Sequence, residues 1–70
     1  MDWKNCLGQN IRRYRADKAW SQQALAGEAN LSLRYLAGIE RGEENPSLET
    51  IVAIAEALDV GPARLLEVRR

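Results

Sequence analysis

An all-α fold of five short helices is what this sequence predicts, on three observations. No stretch alternates apolar and polar residues as a strand does, and aromatic and β-branched residues are sparse. Apolar residues recur instead at helical spacing in five segments. Asp2, Ser21, Ser32 and Ser47 stand where N-terminal caps are needed, and Pro62 stands where a first-turn residue is. Seventy residues allow a single small domain, 1–70, whose core is marginal without close helix packing or a partner subunit.

The first helix is expected from about Trp3 to Lys18, with Asp2 as its cap. Trp3, Leu7, Ile11 and Tyr14 share one face, with Asn10 beside Ile11. Cys6 borders that face and reads as a small buried hydrophobe. The second helix opens after Ser21, with Trp20 and Leu25 placed as a hydrophobic staple. Ser32 opens the third in the same way, with Leu31 and Leu36 as its staple. Between them lies Glu28-Ala29-Asn30, in which Asn30 suits the left-handed position that ends a helix. Ala26 is small where the third helix must pass close, and Leu25, Leu36 and Ile39 are spaced to close a shared core.

On a wheel of about 3.6 residues per turn, residues 33–41 direct Leu36 and Ile39 inward, with Tyr35 and Glu40 on the flanks. Arg34 and Arg41 point outward, Ala37 and Gly38 lie beside them, and Leu33 is at the margin. The outward face is therefore basic at its ends and smooth in the middle. The fourth helix is expected over Leu48–Leu58, capped by Ser47 and striped by Leu48, Ile51, Ile54, Ala55 and Leu58. The fifth begins at Pro62, carries Leu65, Leu66 and Val68 on apolar faces, and ends on Arg69 and Arg70, where basic residues suit the helix dipole.

Composition excludes several function classes. One cysteine and no histidine leave neither a disulfide framework nor a Cys/His zinc site. Cys6 has no base, no glycine-rich phosphate loop exists, and the acidic residues do not follow calcium-loop spacing. An enzyme, a metal, a cofactor and a small-molecule ligand are accordingly not expected. No signal peptide or long apolar run is present, so a soluble cytoplasmic chain without a membrane partner is expected. Net charge is zero but unevenly spread. Residues 1–20 carry Lys4, Arg12, Arg13, Arg15 and Lys18 against Asp2 and Asp17, whereas 42–59 are acidic without a single cation. Such a chain can present a positive face, but its nonspecific attraction to phosphate should be weak.

Residues 7–66 resemble the Cro and lambda-repressor type of helix-turn-helix domain. The matching pieces are Leu7-Gly8, Ile11-Arg12, Ser21-Gln22, Leu25-Ala26, Tyr35-Leu36, Ile39-Glu40-Arg41-Gly42, Asn45-Pro46-Ser47-Leu48 and Leu58-Asp59-Val60-Gly61-Pro62. The resemblance implies a compact five-helix lambda-repressor-like domain with its helix-turn-helix at about 22–41. It implies a regulator of transcription that binds double-stranded DNA, as a homodimer on paired half-sites, with helix 33–41 in the major groove. Base contacts then fall to Leu33, Arg34, Ala37 and Gly38, and phosphate contacts to Ser21, Gln22, Arg41 and Asn45. The resemblance pairs Arg15 with Glu40 and puts Ala19 where the family favours glycine. Val60, Leu65, Leu66 and Val68 exceed what one small core covers and are the expected dimer surface.

This sequence also departs from the family. Leu33, Ala37 and Gly38 stand where polar base-reading residues are common, and Glu43 and Glu44 should repel phosphate. Two alternatives follow. The chain is a protein-interaction module, such as an antitoxin-like partner, as the zero net charge and acidic 43–59 stretch favour. Or it is the DNA-binding part of a longer, ligand-sensing regulator.

Overall fold

Side-chain caps start four of the five helices in the computed structural model, which describes residues 2–68. The helices are α1 (Trp3–Asp17), α2 (Gln22–Glu28), α3 (Leu33–Glu40), α4 (Leu48–Leu58) and α5 (Pro62–Leu65), with no strand among the described residues. Asp2 accepts from the Asn5 N–H at 3.3 Å, Ser21 from Ala24 at 3.0 Å, Ser32 from Tyr35 at 3.1 Å and Ser47 from Thr50 at 3.2 Å. Each cap satisfies a donor that has no partner inside its own helix.

The same four helices also end alike, on a left-handed residue whose successor donates back across the last turn. Those residues are Ala19 (φ 57°), Asn30 (φ 59°), Gly42 (φ 79°) and Asp59 (φ 60°). The returning donors are the N–H groups of Trp20 to Arg15 O (3.0 Å), Leu31 to Ala26 O (2.8 Å), Glu43 to Gly38 O (2.9 Å) and Val60 to Ala55 O (3.0 Å). α1 stops at Asp17, one residue short of its expected end, and Lys18 caps it. At Gly42 a side chain is excluded twice over, by its φ and by the Asn5 side-chain amide packed against it.

Leu7 and Ile11 of α1, Leu25 and Ala26 of α2, Leu36 and Ile39 of α3, Ile51, Ile54, Ala55 and Leu58 of α4 and Leu65 of α5 form one core. α3 lies against α1 and α2, α4 against α2 and α5, and α5 also against α1. Trp20 and Leu31 are half-buried against this core, to which their expected staple partners Leu25 and Leu36, both fully buried, belong. Leu48 departs from the expected stripe. It is the first residue of α4 and is exposed, the stripe being covered only from Ile51 onward.

The C-terminal segment departs most from expectation. α5 ends at Leu65, one turn after it starts, instead of running to the basic pair. Asn10 of α1 is the physical reason. Its buried amide donates to Leu65 O and Glu67 O, each at 2.8 Å, so the chain after Leu65 is held against α1 instead of continuing as a helix. Cys6 joins this clamp. It is half-buried and directs its thiol to Glu67 O at 3.1 Å, so it is a weak donor and not merely a small hydrophobe. Leu65, expected at a dimer surface, is 0 % exposed and belongs to the monomer core. Val68 lies beyond the helix, and Arg69 and Arg70 lie outside the described residues. Among the described residues no helix is long and apolar enough to cross a membrane.

The left-handed Ala19 carries a steric cost of about 1 kcal/mol that glycine would not. Ala19→Gly should therefore raise stability by some tenths of a kcal/mol up to about 1 kcal/mol, read as a higher midpoint in thermal or urea unfolding; a lower midpoint would contradict the conformation.

Candidate nucleic-acid interface

α3 is held by one side and offers the other. On the held side Leu36 and Ile39 enter the core, and Glu40, in the last turn, is buried with them. A buried carboxylate must be paired and hydrogen-bonded. Arg15 of α1 meets it with a two-pronged contact, Nε to Oε2 and Nη2 to Oε1, both 3.0 Å. The Arg15 side chain is 19 % exposed and that of Glu40 1 %. The third prong of Arg15, Nη1, donates to Trp20 O at 2.9 Å and ties the start of α2 into the same cluster.

Gln22 completes the cluster in a way the sequence did not suggest. Expected at a DNA phosphate, its amide nitrogen instead donates to Glu40 Oε1 at 3.0 Å. Arg12 donates to the Glu40 backbone carbonyl, an acceptor that the end of the helix leaves without a partner. α1 reaches this carbonyl because position 8 is glycine: a Cβ there would lie 2.9 Å from the Glu40 carbonyl carbon and 3.0 Å from Ile39 O. The sequence did carry a signal for Gly8, since glycine inside a helix costs about 1 kcal/mol against alanine and calls for a packing reason.

The offered side of α3 differs in one respect from the wheel. Leu33 and Arg34 are exposed and Ala37 is half-buried, but Gly38 is buried. Glu44, in the loop after α3, folds back across it, and a Cβ at Gly38 would sit 2.8 Å from Glu44 Cγ and 2.9 Å from Oε2. Gly38 is thus not an open position facing a ligand; the surface there is the Glu44 side chain. Arg41 is exposed and its Nε lies 3.1 Å from Glu43 Oε1, in a pair more than half exposed at both ends. Ser21 and Asn45 are exposed at the start of α2 and in the loop before α4.

Two helices joined by a four-residue turn with Asn30 left-handed, the second held by its inner side alone, form a helix-turn-helix, and the helix-turn-helix family HTH_3 matches residues 11–65. The chain belongs to that XRE-type helix-turn-helix family. Among its relatives, control protein C.BamHI of Bacillus amyloliquefaciens is 44% identical over 62 residues, covering 87% of this chain and 76% of that one. Control protein C.SmaI of Serratia marcescens is 38% identical over 66 residues, covering 94% and 79%. The crystal structure of the restriction-modification controller protein C.AhdI from Aeromonas hydrophila superposes with a TM-score of 0.86 at 40% identity, over 89% of this chain and 94% of that one. The fold is thus the lambda-repressor-like one that the resemblance implied, and the named relatives are regulators and not enzymes.

Removing one partner of the Arg15–Glu40 pair leaves a buried charge without compensation. Glu40→Gln should cost about 1–3 kcal/mol of stability. A double-mutant cycle with Arg15→Ala should show a coupling of at least about 1 kcal/mol, and strict additivity of the two unfolding energies would refute the pairing.

Proposed function

We propose that residues 1–70 act in the cytoplasm as one sequence-specific DNA-binding domain, without catalytic activity, that regulates transcription by occupying its operator. That the chain is a DNA-binding regulator follows from its family. The manner of binding rests on a single observation: Leu36, Ile39 and Glu40 commit one side of α3 wholly to α1 and α2, leaving Leu33, Arg34 and Ala37 as its outward side. A helix so presented enters the major groove with its N-terminal residues deepest.

Arg34 is the chief base reader in this reading. It stands at the second position of α3, and no ion pair among the described residues holds it. Its fork matches guanine O6 and N7. Leu33 and Ala37 supply apolar contact for thymine methyl groups. Arg41, near the other end of the helix, is assigned to phosphate with Ser21 and Asn45. Its exposed pairing with Glu43 is worth under about 1 kcal/mol and yields to a phosphate.

One module of this size makes few contacts, so a two-fold homodimer on paired half-sites is proposed. Its surface is the C-terminal edge, where Val60 is half-buried and Leu66 and Val68 are 37 % and 57 % exposed.

Selection of bound duplexes from a random pool tests the reading, because it returns motif, symmetry and spacing together. Arg34→Ala should flatten the preference at one guanine per half-site, by about 1–3 kcal/mol. Arg41→Ala should weaken all sequences about equally and lower the salt slope by about one. A uniform loss with Arg34→Ala and an unchanged motif would make Arg34 a phosphate contact. Failure to enrich any motif, with no salt-dependent binding, would favour docking on protein instead.

The dimer is tested separately. Leu66→Glu places a charge in an apolar contact and should shift the chain to monomer in equilibrium sedimentation while leaving its helical content intact. A wild type that stays monomeric at high concentration removes the proposed interface.

A further inference from the structure

We infer that Glu44 is a base-reading residue, its carboxylate standing in for the side chain that Gly38 lacks and selecting cytosine at one position of the site. The inference rests on the DNA-binding reading above and specifies what the middle of α3 recognises.

Placement is the first ground. Gly38 lies one turn beyond Arg34, beside Ala37, on the part of α3 that would meet the groove floor. Glu44 fills the space where a Gly38 side chain would begin, with Cγ and Oε2 within 3 Å of that Cβ position. The loop holds it there. Left-handed Gly42 and the Glu43 N–H bond to Gly38 O at 2.9 Å turn the chain back along α3, and buried Pro46 anchors it downstream.

Availability is the second. The two neighbouring loop carboxylates differ. Glu43 is paired with Arg41 at 3.1 Å, whereas Glu44 takes part in none of the ion pairs among the described residues. Its acceptor capacity is free for a ligand.

Chemistry then names the base. An ionised carboxylate only accepts hydrogen bonds, so phosphate, guanine O6 and N7 and thymine O4 all oppose it. In the major groove only the amino groups of cytosine and adenine donate. Adenine sets its N7 acceptor next to that amino group, against the second carboxylate oxygen, and cytosine does not. Cytosine is therefore favoured: guanine and thymine leave a desolvated carboxylate without a donor, and adenine offers its donor only with an acceptor set against the second oxygen. Such a contact discriminates by rejecting wrong bases as well as by attracting the right one.

The experiment runs the random-pool selection with the wild type, Glu44→Ala, Glu44→Gln and Gly38→Ala, and then measures binding to the selected site and to its single-base variants. In the wild type, replacing one cytosine should weaken binding about five- to tenfold. Glu44→Ala should be indifferent at that position, and Glu44→Gln should move the preference toward adenine, whose N6 and N7 suit an amide. Gly38→Ala should displace the Glu44 side chain and flatten the same position while sparing the rest of the motif. It alters a different residue, so a folding defect in one variant leaves the others to decide. The inference is overturned if Glu44→Ala selects the wild-type motif and tightens binding to all sequences alike, for then Glu44 merely repels phosphate. A wild type that enriches no motif overturns the DNA-binding reading itself, and this inference with it.

Discussion

The buried carboxylate of Glu40 is the constraint on which the arrangement of this small protein depends. A charge held away from water is tolerable only where its partners are fixed, and here the partners come from two other helices: Arg15 from α1 and Gln22 from α2. Arg12 holds the backbone carbonyl of the same residue, and the missing side chain of Gly8 lets α1 approach closely enough to make these bonds. The pair need not add net stability, since apolar residues of similar volume can often replace a buried ion pair without loss. Its effect is on orientation. An apolar contact between α3 and the core would tolerate rotation about the helix axis, whereas any rotation here strands a buried charge. The outward direction of Arg34 is thereby set from behind.

The surface so oriented is close to neutral. Arg34 carries positive charge, Arg41 and Glu43 offset one another, and Glu44 is negative. A face of this kind draws little strength from the sequence-independent attraction of phosphates, which supplies most nonspecific binding. In the proposed mode of binding the energy comes from a few base contacts and from the penalty that a misplaced carboxylate imposes on wrong sequences. Zero net charge, which on composition alone speaks against DNA, instead fits a protein that trades general affinity for discrimination.

Local chemistry made much of the fold legible in the sequence. The serine caps, the two staples, left-handed Asn30 and the bounds of α4 depend on residues within a turn of one another, and spacing reveals them. Residues whose meaning depends on distant chain segments were not legible. Asn10 reads as a polar residue beside an apolar stripe until the end of α5 is placed over it. Gln22 reads as a phosphate contact until Glu40 is seen beneath it. Gly38 is outward on any helical wheel, and only the course of the following loop shows that Glu44 covers it. Leu65 and Leu66 are adjacent apolar residues of equal standing in sequence, and packing alone sends the first inward and leaves the second exposed.

α1 links these separate findings. Its first half carries Cys6 and Asn10, which gather the carbonyls of residues 65 and 67 and so end α5 after a single turn. That early end leaves Leu66 and Val68 facing solvent beside a fully buried Leu65. Its second half carries Arg12 and Arg15, which fix Glu40 and with it α3. One rigid helix of 15 residues, a length of about 22 Å at 1.5 Å per residue, therefore sets both the edge proposed to meet a second copy and the helix proposed to meet DNA. In a two-fold dimer the spacing of the recognition helices depends on the angle between those two surfaces. Because both are anchored to the same helix by hydrogen bonds rather than by apolar packing alone, that angle is fixed within each protomer, and in the proposed dimer α1 would help to set the half-site spacing.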